Sequence, residues 1–164
     1  MASYKANNQQ GGTAQNLSSS YKTIIAITAA TGATTLRRGW IMEWEIGADN
    51  VPNATDCPIS WGIEVQTAAG TITTITPNPN DVGGGDAAAL LTYAANATAE
   101  GTIAANQASS LWYMGLNQRA SYRIQMRDEW SAIVVPAVNL KGPAFRAKSP
   151  NYTSTVGWNL LARE

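Results

Sequence analysis

At 164 residues and 17.4 kDa the chain fits one domain, and surface scaling lets such a chain bury about 70% of its extended surface. Lys+Arg and Asp+Glu balance at 11 each and only 13% of residues are charged, so no global field draws the chain to nucleic acid or an acidic membrane. With no histidine and a single cysteine, Cys57, the sequence excludes Ser-His-Asp and Cys-His catalysis, His-ligated metals, Cys-cluster zinc and an intrachain disulfide framework.

Residues 1–20 (MASYKANNQQGGTAQNLSSS) are polar, carry Gly11 and Gly12, and hold no apolar core of a signal peptide. Nowhere do about 18 apolar residues run together, so a soluble protein outside the secretory pathway is expected, with no membrane contact. Such a composition buries too little apolar area to offset ordering, which predicts an extended arm outside a domain of residues 21–164. The arm is either a loose terminus or a segment that orders on a partner, with Tyr4 and Lys5 as its anchors.

Tyr21 to Thr28 is rich in β-branched residues and reads as the first core strand. Trp40 to Ile46 alternates, with Trp40, Met42, Trp44 and Ile46 on one face and Ile41, Glu43 and Glu45 on the other. Prolines and Asn/Asp fill the loop Gly47 to Pro58. Trp61, Ile63 and Val65 alternate with polar neighbours, and Thr71 to Thr76 returns after Ala68-Ala69-Gly70 as the second arm of a hairpin. Asp86 to Tyr93 is the only plausible helix, at most two turns long, with Asp86 as its cap.

Thr98 to Ile103 reads as an edge strand and Leu111 to Gly115 as a short buried one. Tyr122, Ile124 and Met126 alternate with Ser121, Arg123, Gln125 and Arg127, and Ile133 to Val135, stopped by Pro136, would complete a hairpin with them. Val156, Trp158 and Leu160 share a face of the closing strand. Eight or nine short strands between Gly/Pro/Asn turns predict an all-β, jelly-roll-like sandwich or barrel with at most one short helix. There is no repeat and no second domain.

Charge is segregated along the chain. Residues 1–38 carry Lys5, Lys22, Arg37 and Arg38 and no acid; residues 39–100 carry eight acids and no base; residues 101–164 carry seven bases and three acids. Two arrangements satisfy this: cross-strand ion pairs within one chain, or the basic end of one copy against the acidic middle of the next.

Candidate chemistry is sparse. Glu43 and Glu45, two apart on one strand face, could serve as a glycosidase pair, although a solvated face accounts for them too. Asp49, Asn50, Asn53 and Asp56 crowd one loop without EF-hand spacing, and Gly83 to Gly85 lack the residues of a phosphate loop. The sequons at Asn16, Asn53, Asn96 and Asn151 carry little weight in an Asn- and Thr-rich chain. Of six tryptophans, Trp40, Trp44, Trp61 and Trp158 belong to the core, whereas Trp112 and Trp130 are less constrained: Trp130, after Asp128-Glu129 in a turn, is the best candidate for an exposed anchor, with packing in the core or against a loop the leading reading for it. Arg119, Arg123, Arg127, Lys141, Arg146 and Lys148 form a basic stretch suited to an acidic protein surface, without the interleaved aromatics of an RNA platform. No cofactor or metal is expected, and no enzyme activity.

The opening MASYKANNQQ, the run Leu36-Arg37-Arg38-Gly39, the segment GLNQRASYR at Gly115 to Arg123, RAKSP at Arg146 to Pro150 and the strand-like carboxyl end resemble small virion proteins of tailed bacteriophages, in particular capsid decoration (cement) proteins. The resemblance covers both ends and the Gly115 to Pro150 stretch but little of the acidic middle. It implies a cofactor-free protein on the outer capsid surface, bound to the major capsid protein, usually as a homotrimer. The alternative reading is a carbohydrate-binding or host-attachment domain of a phage particle.

Overall fold

The computed structural model describes residues 2–29, 36–81, 83, 87–104 and 110–164. Among the described residues thirteen strands run in chain order: β1 (Ser3–Asn7), β2 (Lys22–Thr28), β3 (Gly39–Ala48), β4 (Pro58–Ala68), β5 (Thr71–Ile75), β6 (Asn78–Pro79), β7 (Thr92–Ala99), β8 (Thr102–Ile103), β9 (Ser110–Asn117), β10 (Tyr122–Gln125), β11 (Ile133–Val135), β12 (Gly142–Lys148) and β13 (Val156–Arg163). One short 3-10 turn follows β1 at Asn8–Gly11. The strands form two antiparallel sheets packed face to face, the expected all-β sandwich. The first has the order β10-β3-β13-β1-β6 with β11 also on β3; the second has β5-β7-β2-β12-β4-β8 with β9 also on β4.

Aromatic rings fill the space between the sheets. Trp158 on β13 meets Phe145 of β12 at 5.2 Å, Trp61 of β4 at 5.3 Å and Trp112 of β9 at 6.5 Å between ring centres, all edge to face. Trp44 of β3 reaches Trp112 at 5.7 Å. Edge-to-face contact suits rings with negative faces and positive edges. Trp44, Trp61, Trp158 and Phe145 are fully buried, as is the apolar run Ile24, Ile25 and Ile27 of β2.

Several expectations are corrected. Over residues 2–20 the expected arm is not free: β1 is hydrogen-bonded between β13 and β6, and Tyr4, Ala6 and Leu17 are buried. Asn8 acts as a surrogate strand residue, its Nδ2 donating to Val156 O at 2.9 Å and its Oδ1 accepting from Trp158 N at 2.8 Å. Gly11 lies so close to β7 that a Cβ there would sit 2.8 Å from Ala95 Cβ. Backbone pairing and a few inward side chains thus order a segment whose composition alone would not.

Neither predicted hairpin forms. β10 and β11 both pair with β3, at Glu43 to Ile46 and at Gly39 to Ile41, end to end along one edge. β5 pairs with β7 rather than β4. The helix expected at Asp86 to Tyr93 is absent over residues 87–93, where irregular chain leads into β7; its cap, Asp86, lies outside the described residues, as do Gly84 and Gly85. The alanines of β7 serve close packing, since Ala94, Ala95 and Ala97 are all buried. In β3 a one-residue bulge, with Glu43 opposite Leu161 and Ile41 opposite Ala162, reverses the facing of the strand. Ile41 therefore points inward with Trp44 and Ile46, and Trp40 turns out to the half-exposed face.

Glu164 ties the far end of the sandwich. Its side chain accepts from Leu90 N at 2.6 Å, Leu91 N at 3.2 Å and the Tyr93 hydroxyl at 3.1 Å. Burial, and then the neighbouring Glu164 charge, hold the Tyr93 phenol well above its ordinary pKa. Because the folded-state pKa is the higher one, the stability from Tyr93 is complete below about pH 10 and is lost as pH rises further. Tyr93→Phe is expected to flatten that alkaline decline in denaturant titrations run at several pH values. Trp158→Ala is expected to cost about 3–5 kcal/mol in urea unfolding, whereas Trp130→Ala changes stability by less than about 0.5 kcal/mol.

Candidate functional site

The basic side chains singled out in the sequence divide between the two sheets. On the outer face of the first sheet, cross-strand rows run Arg123-Glu45-Asn159-Asn7 and Gln125-Glu43-Leu161-Lys5. Arg123 reaches Glu43 at 2.6 Å, and that hydrogen bond raises the guanidinium pKa further. On the outer face of the second sheet, Arg146 is held by Glu64, by Glu100 at 3.5 Å and by Tyr21 O at 3.2 Å, with only 12% of its side chain exposed. Arg146 and Lys148 also lie over the Tyr21 ring, at 5.2 and 4.6 Å from its centre. Arg119 pairs with Asp56 at 2.8 Å and also donates to Asn53 O, keeping the Asp56 carboxyl below its usual pKa. Arg127 and Lys141 are exposed, and Lys5 sits on the first sheet beside Asn78.

The six bases are therefore no single patch. Every ion pair among the described residues joins a base of the last third to an acid of residues 39–100: Arg119–Asp56, Arg123–Glu43, Arg146–Glu64 and Arg146–Glu100. The segregated charge is used inside the chain, because β10 and β12 lie beside the acidic strands β3 and β4. Tyr4, offered as an arm anchor, is instead 3% exposed, with its hydroxyl donating to Ala87 O at 2.6 Å.

The network around Arg146 carried no motif, although the charge segregation pointed to it. Glu100 accepts from Thr23 N and from Thr23 Oγ1, at 3.0 and 2.5 Å, which joins the ends of β2 and β7 to β12. Burial, then Tyr113 and Glu64, raise the Tyr21 pKa against the lowering effect of Arg146.

Two adjoining depressions of about 330 and 270 Å3 cross the outer face of the first sheet and share Asn7, Glu45 and Asn159. Gly47 faces Gly157 on the floor, Asp49 and Gln9 bond to each other at one end, and Lys5 and Arg123 stand at the other. The polar part of the lining is amide and carboxylate with Lys5 and Arg123 at one end, and Glu43 of the proposed glycosidase pair is engaged by Arg123. In the Gly47–Pro58 loop, Asn53 bonds to Gln118 and to Asn151 O, and Asp56 to Arg119. No group of three or more acidic, Cys or His side chains that could hold a metal occurs among the described residues. Asn96, one of the sequons, is buried.

Trp130 is the projecting feature. It is 98% exposed and sits on a turn closed by Ser131 N donating to Asp128 Oδ1 at 2.9 Å and Ser131 Oγ donating to Asp128 O at 3.0 Å. Val134 and Val138, shortly after it, are also more than 40% exposed. A large ring held in water on a bonded turn is the type of group that anchors protein contacts.

No protein-family model, curated protein or solved structure matches this chain.

Arg146→Ala leaves the Glu64 carboxylate without its ion-pair partner and Glu100 with Thr23 alone, and is expected to cost about 1.5–3 kcal/mol in chemical unfolding. Arg119→Ala, at an exposed pair, is expected to leave the unfolding transition close to that of the wild type.

Proposed function

We propose that this chain is a structural virion protein that seats on the outer surface of a phage capsid and stabilises it by bridging capsid subunits. The observation that carries the reading is Trp130, fully exposed on a hydrogen-bonded turn and followed by the exposed Val134 and Val138. Burying the ring in a pocket between capsid proteins removes a large apolar surface from water, and the preformed turn limits the entropy lost. Contacts to several subunits favour the assembled shell by mass action, and joined copies add avidity. The two-sheet sandwich and the sequence resemblance to decoration proteins support the same reading.

The polar groove on the first sheet supports a second reading, a glycan-binding or host-attachment module, because amides and carboxylates are the groups that bond sugar hydroxyls.

Co-sedimentation with expanded capsids separates the two. Trp130→Ala is expected to weaken capsid binding about 30-fold or more with an unchanged circular dichroism spectrum. Capsid binding equal to wild type in that variant, or none in the wild type, removes the proposal. A glycan-array signal lost on Asn159→Ala would favour the second reading.

A further inference from the structure

We infer that β9 is a self-association edge at which two copies of this chain pair antiparallel about Tyr113, joining their second sheets into one. Among the described residues β9 pairs only with β4, so the backbone groups of its other edge have no ladder partner. Natural edge strands of this length usually carry a charge or a proline that blocks pairing. Here Ser110–Asn117 (SLWYMGLN) has neither, and residues 101–118 contain no charged side chain at all. The strand also exposes large apolar groups, with Leu111 45% and Tyr113 61% accessible.

The identity of the occupant follows from the pattern of β9 itself. An antiparallel pair centred on Tyr113 sets Tyr113 against its own copy, Trp112 against Met114 and Leu111 against Gly115. Each is a favourable match. Aromatic pairs directly across a ladder stabilise it, a methionine sulfur packs well against an aromatic ring, and Gly115 supplies the space that Leu111 needs. A Cβ built at Gly115 meets nothing within 4 Å, so the room beside it is open on the chain's own side. A strand with like charges would repel its copy across a two-fold axis; this one has none to repel. The inference is independent of the capsid reading, and the three-fold assembly implied by the resemblance is a competing outcome.

Size-exclusion chromatography with light scattering gives the first readout: twice the 17.4 kDa chain mass is expected for the wild type. Tyr113→Lys is expected to halve the mass, since it sets two like charges opposite each other. Gly115→Val has room within the chain but meets the partner's Leu111 and is expected to weaken pairing likewise, with thermal unfolding by circular dichroism showing both variants folded. Tyr113→Cys fixes the register, because a residue opposite its own copy lies within disulfide reach, so mild oxidation is expected to give a cross-linked pair of chains that the wild type, whose Cys57 is buried, does not form. A wild-type mass of one chain or of three, a pair that persists in Tyr113→Lys, or a Tyr113→Cys pair that fails to cross-link would overturn the inference.

Discussion

Everything in this molecule is built onto β13. It lies between β3 and β1 in the first sheet, and Trp158 at its middle touches rings from β4, β9 and β12 in the second. The same residue's backbone N–H donates to Asn8, so the strand that anchors the core also fastens the amino-terminal segment. Packing, sheet pairing and the position of residues 1–20 thus meet at one side chain. An interior filled with large rings has little room for adjustment, and a ring deleted there leaves a cavity that its rigid neighbours do not close.

Around that core the chain spends its charge on itself. The acidic middle and basic end are neighbours because β3 pairs with β10, and β4 with β12. Exposed pairs such as Arg119–Asp56 contribute little. Arg146 is different: two carboxylates, a carbonyl and a tyrosine ring surround it, and it fastens the outer face of the second sheet. Arg127 and Lys141 stay exposed outside these pairs, and the other outward features are the Trp130 turn, the Leu111 and Tyr113 face of β9, and the polar groove across β1, β13 and β3, whose lining carries Glu43, Glu45, Asp49, Lys5 and Arg123. These are the surfaces on which the proposed contact with a capsid would rest.

Strands were legible in the sequence where one face is buried and the other wet. Val156, Trp158 and Leu160 alternate as expected and all are buried. Partner choice was not legible, because the polar stretch after β10 looks like a hairpin turn whether the next strand folds back or continues along β3. A single extra residue at Met42 reversed the inferred facing of Trp40 and Ile41, and periodicity carries no mark of such a bulge. The alanines of β7 favour a helix by propensity yet sit in a strand, since Ala95 must accept the close approach of Gly11. At the candidate site, the place of Trp130 after Asp128-Glu129 marks it as a candidate anchor, but core or loop packing is the leading reading of the sequence there, and its full exposure was not legible. Nor was the burial of Tyr4, because it depends on β13 and β6, which lie far away in the chain.

Imaging the protein on expanded capsids at moderate resolution tests the proposed contact with a particle most directly. Density of sandwich shape on the outer surface, with the Trp130 turn against the shell at a junction between subunits, is the predicted result. Capsids whose outer surface is the same with and without the protein would contradict the account.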